Sequence, residues 1–297
     1  MKGARNSRET KTELPRMPTS PIVTAQELGL TGTGSWPLHG TLPPFPRLAV
    51  VGSRAASRAA LACVPALVAA AGARGHALVS GGARGVDGAM HRAALAAGLP
   101  QLAIVPCTPG DPYPPEHAAL FAAIAAAPGS GVMFTRPEGL HNTRGIFASR
   151  NRIVVGVASA LVVVQALPRS GSWGTGRMAL RDGRRTAAVL GPAGCADLIA
   201  HGATALPCEP GTIGAAVLRW LDAGPGGPGG PGSMANPTWP EDLRWLGDLL
   251  ASAGPRGLGL DDLAEETTAA NANAALLSAE LLGLVLESPQ GRYHLRR

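Results

Sequence analysis

Four short segments of the chain combine arginine with small and hydroxyl-bearing residues. Guanidinium forks and backbone N–H groups match phosphate oxygens in geometry as well as in charge, and serine hydroxyls add uncharged donors. The segments therefore predict a phosphate-binding surface, provided that the fold brings them together. They lie at residues 52–54, 80–91, 150–152 and 170–175.

Asp87 and His91 are four residues apart, so a helix at this point places them on one face. One interpretation is a polar pair on the phosphate surface. The other is structural, with Asp87 orienting Arg84 or capping nearby backbone and His91 satisfied and semi-buried, and we favour it. Trp173 has two open interpretations of the same kind, since an indole stacks on a base as readily as it packs in a core.

Predicted strands and helices alternate around these segments. Continuous apolar runs predict strands that are buried on both faces, and Ser57 is expected to cap the first long helix. Six strands alternating with helices predict an α/β fold with a doubly wound parallel sheet of extended Rossmann-like type. The carboxyl edge of such a sheet collects the turns and the helix N-termini, where phosphate binds. The predicted strands are residues 48–51, 77–79, 102–105, 132–134, 160–164 and 186–190.

Several common chemistries are not supported. Gly52 is followed by SRAAS, so the G-x-G-x-x-G fingerprint is absent, as is the P-loop motif. The four cysteines form no C-x-x-C pair, which argues against a zinc or dithiol site. No serine, histidine and aspartate set and no carboxylate pair is spaced for catalysis. We therefore predict a binding protein with no cofactor and no metal, and not an enzyme.

The composition suggests a polyanionic partner and more than one domain. The 297 residues carry a formal net charge of +6, and arginine supplies every Lys/Arg position except Lys2 and Lys11. The predicted division is a disordered tail at 1–20, the α/β domain at 21–223, a Gly/Pro linker at 224–237 and a small domain at 238–297. In the last, three helical patterns and a hairpin at 284–286 and 293–295 predict a winged helix. Proline-rich residues 21–47 are expected to be ordered but irregular.

No targeting or membrane segment is recognisable. The N-terminal residues are charged and lack the apolar stretch of a secretory signal, and no apolar run reaches the ~18 residues of a membrane helix. The expectation is a soluble, cytoplasmic protein without a membrane partner.

Five motifs in a fixed order resemble the bacterial DNA-processing protein A family, also called DprA or Smf. The resemblance covers residues 36–192 and extends weakly into the C-terminal segment. The motifs are VVGSRAAS at 50–57, VSGGARGVD at 79–87 with His91, Tyr113-Pro114, FASRNRI at 147–153, and VVVQA at 162–166 followed by SGS at 170–172 and Thr175.

The resemblance implies a domain that binds single-stranded DNA. It also implies protection of incoming DNA during natural transformation, loading of the RecA recombinase for homologous recombination, homodimerisation and no established catalysis. Carried over to this sequence, it makes Arg54, Arg84, Arg150 and Arg152 phosphate contacts. The other candidate DNA-binding residues are Gly52, Ser53, Ser57, Ser80, Gly81, Gly85, Asp87, His91, Asn151, Ser170, Gly171, Ser172 and Thr175.

Three sites depart from the family pattern and bear on RecA loading and dimerisation. Gly82 replaces a bulkier apolar residue, Gln165 replaces a glutamate, and Thr135-Arg136 stands where an acidic residue is common.

Two alternative functions stay open. The first is a nucleotide-binding or nucleotide-hydrolysing enzyme, because GSWGT at 171–175 resembles the phosphate loop of phosphoribohydrolases. The absence of glutamate between 139 and 208 argues against it. The second is a regulatory nucleotide sensor whose winged helix binds duplex DNA or a protein. The predicted helix at 270–282 has almost no basic residues, which favours a protein contact.

Overall fold

A computed structural model describes most of the α/β part of the chain and isolated positions beyond it. The described residues are 21–30, 33–136, 144–223, 246, 249–250, 258, 262–263, 271–272, 275–276, 279, 285–287 and 292–295.

Within these residues the main sheet has nine strands in the order β1-β2-β6-β5-β4-β3-β7-β8-β9. The seven strands from β6 to β9 in this order pair in parallel, and β1 and β2 extend the β6 edge in antiparallel pairs. The strands are β1 (Ile22–Thr24), β2 (Ser35–Gly40), β3 (Arg47–Gly52), β4 (Ala77–Ser80), β5 (Gln101–Val105), β6 (Gly131–Phe134), β7 (Ala160–Gln165), β8 (Arg185–Val189) and β9 (Thr204–Leu206).

Helices cover both faces of the parallel strands. Ala49 belongs to the apolar layer shared with α5, α6 and α7, whereas its neighbours Leu48 and Val50 belong to the layer shared with α2, α3 and α8. Burial on both faces explains why the strands are continuously apolar rather than alternating. The helices are α1 (Ala25–Leu28), α2 (Arg58–Ala73), α3 (Val86–Ala96), α4 (Ala118–Ala126), α5 (Arg144–Val157), α6 (Gly171–Arg181), α7 (Ala193–Ala200) and α8 (Pro210–Asp222), with a 3-10 turn at Pro115–His117.

The chain reverses its direction of winding between β3 and β7. From β3 it proceeds outwards through β4, β5 and β6, and then returns to place β7 directly beside β3. In open α/β sheets, ligands bind outside the carboxyl ends of the strands at such a point. Ser53 N–H donates to the Gln165 carbonyl oxygen across this junction at 2.8 Å.

The predicted fold class is confirmed, and all six predicted strands are present. The expectation of an irregular segment at 21–47 is wrong, because this segment forms β1, α1 and β2. The burial of Val23, Trp36 and Leu38 between exposed neighbours is the period-two pattern of a half-buried strand, which the prolines obscured. The short strand β9 was also not predicted.

The C-terminal residues that are described form a separate apolar cluster. It includes Leu246, Leu250, Leu263 and Val285, and the predicted hairpin is present as β10 (Val285–Glu287) paired with β11 (Tyr293–Leu295). The winged helix and the domain limits stay predictions. The tail at 1–20 and the linker at 224–237 lie outside the described residues.

Ser57 is the N-cap of α2, as predicted, and its hydroxyl accepts a hydrogen bond from Ala60 N–H at 3.2 Å. Ser57→Ala is expected to lower the free energy of unfolding by about 1 kcal/mol, because it leaves an N–H in the first turn without its acceptor. Urea unfolding followed by tryptophan fluorescence measures this. Ser172→Ala, in the first turn of α6 but not at its cap, is the matched control, and equal losses in the two variants would contradict the capping role.

Candidate functional site

A cleft of about 310 Å³ opens over the carboxyl ends of β3, β4 and β5, beside the reversal point. Residues from three strand-end turns and from α5 surround it. Its lining consists of Arg54, Gly81, Ala83, Arg84, Pro106, Tyr113, Pro114, Phe147 and Arg150.

The rim of the cleft is basic and aromatic. Arg54 is exposed, and its guanidinium lies 4.9 Å from the centre of the Phe147 ring. The Tyr113 ring meets Phe147 edge to face, with 5.8 Å between the ring centres. Arg84 pairs with Glu116 while 57% of its side chain stays exposed. This pairing holds the pKa of the Glu116 carboxyl at about 2, well below its usual range, so the carboxylate stays charged at neutral pH.

The floor of the cleft carries a buried arginine. Arg150 is only 5% exposed, and its Nη1 lies 3.9 Å from Oδ2 of Asp87, which is too far for a hydrogen bond. Oδ2 instead accepts from Ala83 N–H at 3.2 Å. Burial raises the pKa of Asp87, an effect that Arg150 opposes, and burial lowers the pKa of Arg150. The Arg150–Asp87 pair is therefore costly to keep charged and sensitive to the loss of either partner.

Two glycines make this packing possible. A Cβ on Gly81 would stand 1.1 Å from Nη1 of Arg150, so the guanidinium occupies the space a side chain would fill. Gly85 has φ +71°, and a Cβ there would stand 2.1 Å from the Ser53 carbonyl oxygen. Gly52 similarly gives way to Val86, whose Cγ2 would be 2.5 Å from a Cβ. The turns after β3 and β4 thus pack directly on each other.

Three candidate residues lie inside the domain rather than on the cleft. Ser80 is fully buried and donates to the Val50 carbonyl oxygen at 2.6 Å. His91 is buried behind α3, with its Nδ1 2.7 Å from Oε1 of Gln101. Asp87 is 5% exposed and faces Arg150. The structural interpretation of Asp87 and His91 fits these positions, although Asp87 orients Arg150 and not Arg84.

A second group of candidates surrounds the N-terminus of α6, outside the cleft lining. Ser170 caps this helix by accepting from Trp173 N–H, and Thr175 donates to the Gly171 carbonyl oxygen at 2.8 Å. Asn151 Nδ2 would lie 4.0 Å from a Cβ on Gly171, which places α5 beside the cap. Arg152 is half-buried on α5 and also lies outside the lining, as do Ser53, Ser57 and Ser172.

The aromatic wall is what residue-by-residue reasoning missed. Phe147 and Tyr113 stood inside motifs that carried the family resemblance, yet neither was named as a site residue. Trp173, which was considered for stacking, donates from Nε1 to Oδ2 of Asp197 at 2.6 Å. An aromatic residue three positions before Arg150 on the same helix was the available signal, because i and i+3 share a helix face.

The structure gives two departures from the family pattern a local role. Gly82 has φ +71°, and a Cβ there would stand 2.7 Å from Cγ1 of Val105. Gln165 accepts from Ser57 N–H at 2.8 Å and so joins β7 to the cap of α2. Among the described residues no group of histidine, cysteine and carboxylate side chains could hold a metal ion, and none of the described helices has the length and apolar character to cross a membrane.

The fold and the cleft define a doubly wound α/β domain with a basic, aromatic-walled site at the carboxyl edge of its sheet. The family model for DNA recombination-mediator protein A matches residues 30–213. Protein Smf of Escherichia coli is 32% identical over 262 residues, which are 84% of this chain and 68% of that protein. The chain therefore belongs to the DNA recombination-mediator protein A family.

Other relatives cover less of their own length. A DNA processing protein DprA of Mycobacterium tuberculosis is 44% identical over 162 residues, so 52% of this chain matches 41% of that protein. The X-ray structure of DNA processing protein A from Streptococcus pneumoniae superposes with a TM-score of 0.56 at 31% identity, covering 62% of this chain and 65% of that one. DNA processing protein A from Helicobacter pylori, at 20% identity and a TM-score of 0.57, covers 69% of this chain and 97% of its own and shares the fold.

Proposed function

We propose that this chain binds single-stranded DNA across the cleft. The observation that carries the proposal is the combination of exposed Arg54 and Arg84 with the ring of Phe147 at one rim. Guanidinium groups contact the sugar-phosphate backbone, while an aromatic face accepts any base by stacking. The H. pylori relative, whose structure is described for its single-stranded DNA binding mode, supports the same assignment.

The geometry favours a single strand over a duplex. Stacking on Phe147 requires an unpaired base, because the faces of bases in a duplex are already stacked on their neighbours. The cleft is also narrow, with Tyr113 and Pro114 on one side and Arg54 on the other. A strand with splayed bases fits this shape, with phosphates on the arginines and one base against the ring.

Arg54→Ala is expected to weaken single-stranded DNA binding roughly five- to tenfold on all sequences, and to reduce the slope of log K against log salt by about 1. The reason is that one phosphate contact and its counterion release are lost. Fluorescence anisotropy with mixed-sequence oligonucleotides, titrated with salt, measures both quantities.

Arg74→Ala is the matched control for this experiment. Arg74 is an exposed arginine at the end of α2, paired with Asp222 at the opposite edge of the sheet. Its loss should leave affinity and salt slope unchanged. No binding of single strands at low salt, or equal losses in the two variants, would overturn the proposal.

We also propose, from family membership, the finer role predicted above. It comprises protection of incoming DNA during transformation, loading of RecA onto the bound strand, assembly as a homodimer and action in the cytoplasm. Sedimentation of the purified chain reports its oligomeric state. RecA loading is tested by asking whether the chain lets RecA coat a strand that is already covered by a single-strand binding protein, with Arg54→Ala as the variant that should fail.

Hydrolysis of nucleotides is the alternative function. Of the described residues that line the cleft, none is a carboxylate, and Gln165 is occupied by the α2 cap. Glycosidic bond cleavage relies on a carboxyl group close to the sugar, so the lining favours binding over turnover. Release of free base from nucleoside monophosphates would support the alternative.

A further inference from the structure

Arg150 is a buried cation whose donors are incompletely used. Its Nε is buried without a hydrogen-bond partner among the described residues, and its Nη1 comes only within 3.9 Å of Asp87. Arg47, which is equally buried, donates from Nε and Nη2 to the Pro43 carbonyl oxygen at 2.9 and 2.6 Å. A buried guanidinium normally has acceptors of this kind, because an unmet donor is costly. Arg150 therefore lacks an acceptor that a ligand could supply.

The three cleft arginines lie at different depths. Arg54 is exposed and 57% of the Arg84 side chain is exposed, so both lie at the rim, whereas Arg150 is 5% exposed and packs against Gly81 at the floor. A strand that crosses the cleft keeps its phosphodiesters at the level of the rim, because the chain must enter and leave. A group that ends the chain has one connection only and can reach the floor.

The chemistry of the floor suits a compact dianion. The space of about 310 Å³ is at the lower end of small-molecule sites, which favours a single nucleotide unit. A phosphomonoester carries more charge than a diester, about −1.5 to −2 at neutral pH, and has three free oxygens for guanidinium donors. The nearest acid is Asp87, which faces Arg150 from α3 and holds part of its charge in balance.

We propose that the floor of the cleft is a subsite for the terminal phosphomonoester of a nucleotide, held by Arg150 with Gly81 making room for the guanidinium. Two sources share this chemistry, the 5′-phosphorylated end of a DNA strand and a free nucleoside 5′-monophosphate. The inference deepens the proposed function and rests on it for the strand end, whereas the free nucleotide tests the subsite alone. It assigns the cleft a preference for strand ends.

The first test compares two oligonucleotides of one sequence, with a 5′-phosphate or a 5′-hydroxyl, by fluorescence anisotropy at fixed salt. The phosphorylated strand is expected to bind roughly tenfold more tightly, as one charge-assisted contact to a buried arginine implies. Equal affinities for the two strands, with no displacement of either by nucleoside 5′-monophosphates, would overturn the subsite. Displacement by the monophosphates but not by the nucleosides supports it and identifies the free nucleotide as a source.

A second test uses Gly81→Ala, which puts a methyl group where Nη1 of Arg150 lies and so displaces the guanidinium without removing charge. The ratio of the two affinities is expected to fall to near 1. Gly211→Ala in α8, where a Cβ meets nothing within 4 Å, is the control and should keep the wild-type ratio. A retained ratio in Gly81→Ala would contradict the role of Arg150.

These outcomes separate the two proposals. Binding of both strands with equal affinity leaves the single-strand function in place and removes the subsite. If neither strand binds but nucleoside 5′-monophosphates raise the melting temperature of the wild type and not of Gly81→Ala, the subsite stands and the single-strand function fails.

Discussion

Asp87→Ala is expected to lower the free energy of unfolding by about 3–5 kcal/mol, the range found when one partner of a buried ion pair is removed. Both side chains are less than a tenth exposed, so water cannot replace the lost carboxylate beside Arg150. The variant also removes the acceptor of Ala83 N–H in the turn before α3. Urea unfolding followed by circular dichroism measures the loss.

The control for this prediction is the double variant Asp87→Leu with Arg150→Met. Removing both charges together also removes the unpaired cation, so most of the lost stability should return. A loss below about 1 kcal/mol in Asp87→Ala, an average effect for a point variant, would show that Arg150 does not depend on the carboxylate. An unrecovered double variant would assign the loss to the turn instead.

Acidification is expected to destabilise the domain through His91 by about 2–3 kcal/mol between pH 7.5 and pH 4.5. Burial lowers the pKa of His91 from 6.5 to about 4, an effect that the Gln101 hydrogen bond opposes and nearby His117, Arg150 and Arg92 reinforce. The unfolded chain therefore takes up this proton before the folded one does. The stabilisation is complete above pH 6.5 and is lost as the pH falls towards 4.

The pH profile of a His91→Gln variant isolates this contribution. Asp87 works in the opposite direction, because its raised pKa makes the folded state hold its proton, but it is common to both proteins and cancels in the difference. His91→Gln should be less stable than wild type at neutral pH and show a flatter profile. The control is His201→Gln at the exposed end of α7, and wild-type and His91→Gln profiles that run parallel would contradict the assignment.

Much of the fold could be predicted because local patterns and tertiary packing agree. The apolar runs at 48–51 and 160–164 are strands in any parallel sheet covered on both faces, and Ser57 caps α2 through an acceptor three residues away. Residues 21–47 could not be assigned in this way. Prolines at 37, 43, 44 and 46 conceal a strand whose partners on either side, β1 and β6, are antiparallel.

The candidate site was predictable as a set of loops but not as a set of side chains. Arg150 and Arg152 look equivalent in sequence, yet helical geometry turns residues two apart to different faces. Arg150 lines the cleft, whereas Arg152 does not. Ser80 resembles a surface donor in the SGG turn, but β4 ends below the cleft floor and its hydroxyl bonds to β3.

The sequence by itself determined the alternation of strands and helices, the glycine turns that collect at one sheet edge and the excess of basic charge. These are properties of short windows, where the pattern of apolar residues and the tolerance of glycine act directly on the backbone. Only the tertiary structure decided which arginine reaches the rim, which one is buried beside Asp87, and that Phe147 forms the wall. Burial and pairing depend on contacts between segments far apart in the chain, which no local pattern records.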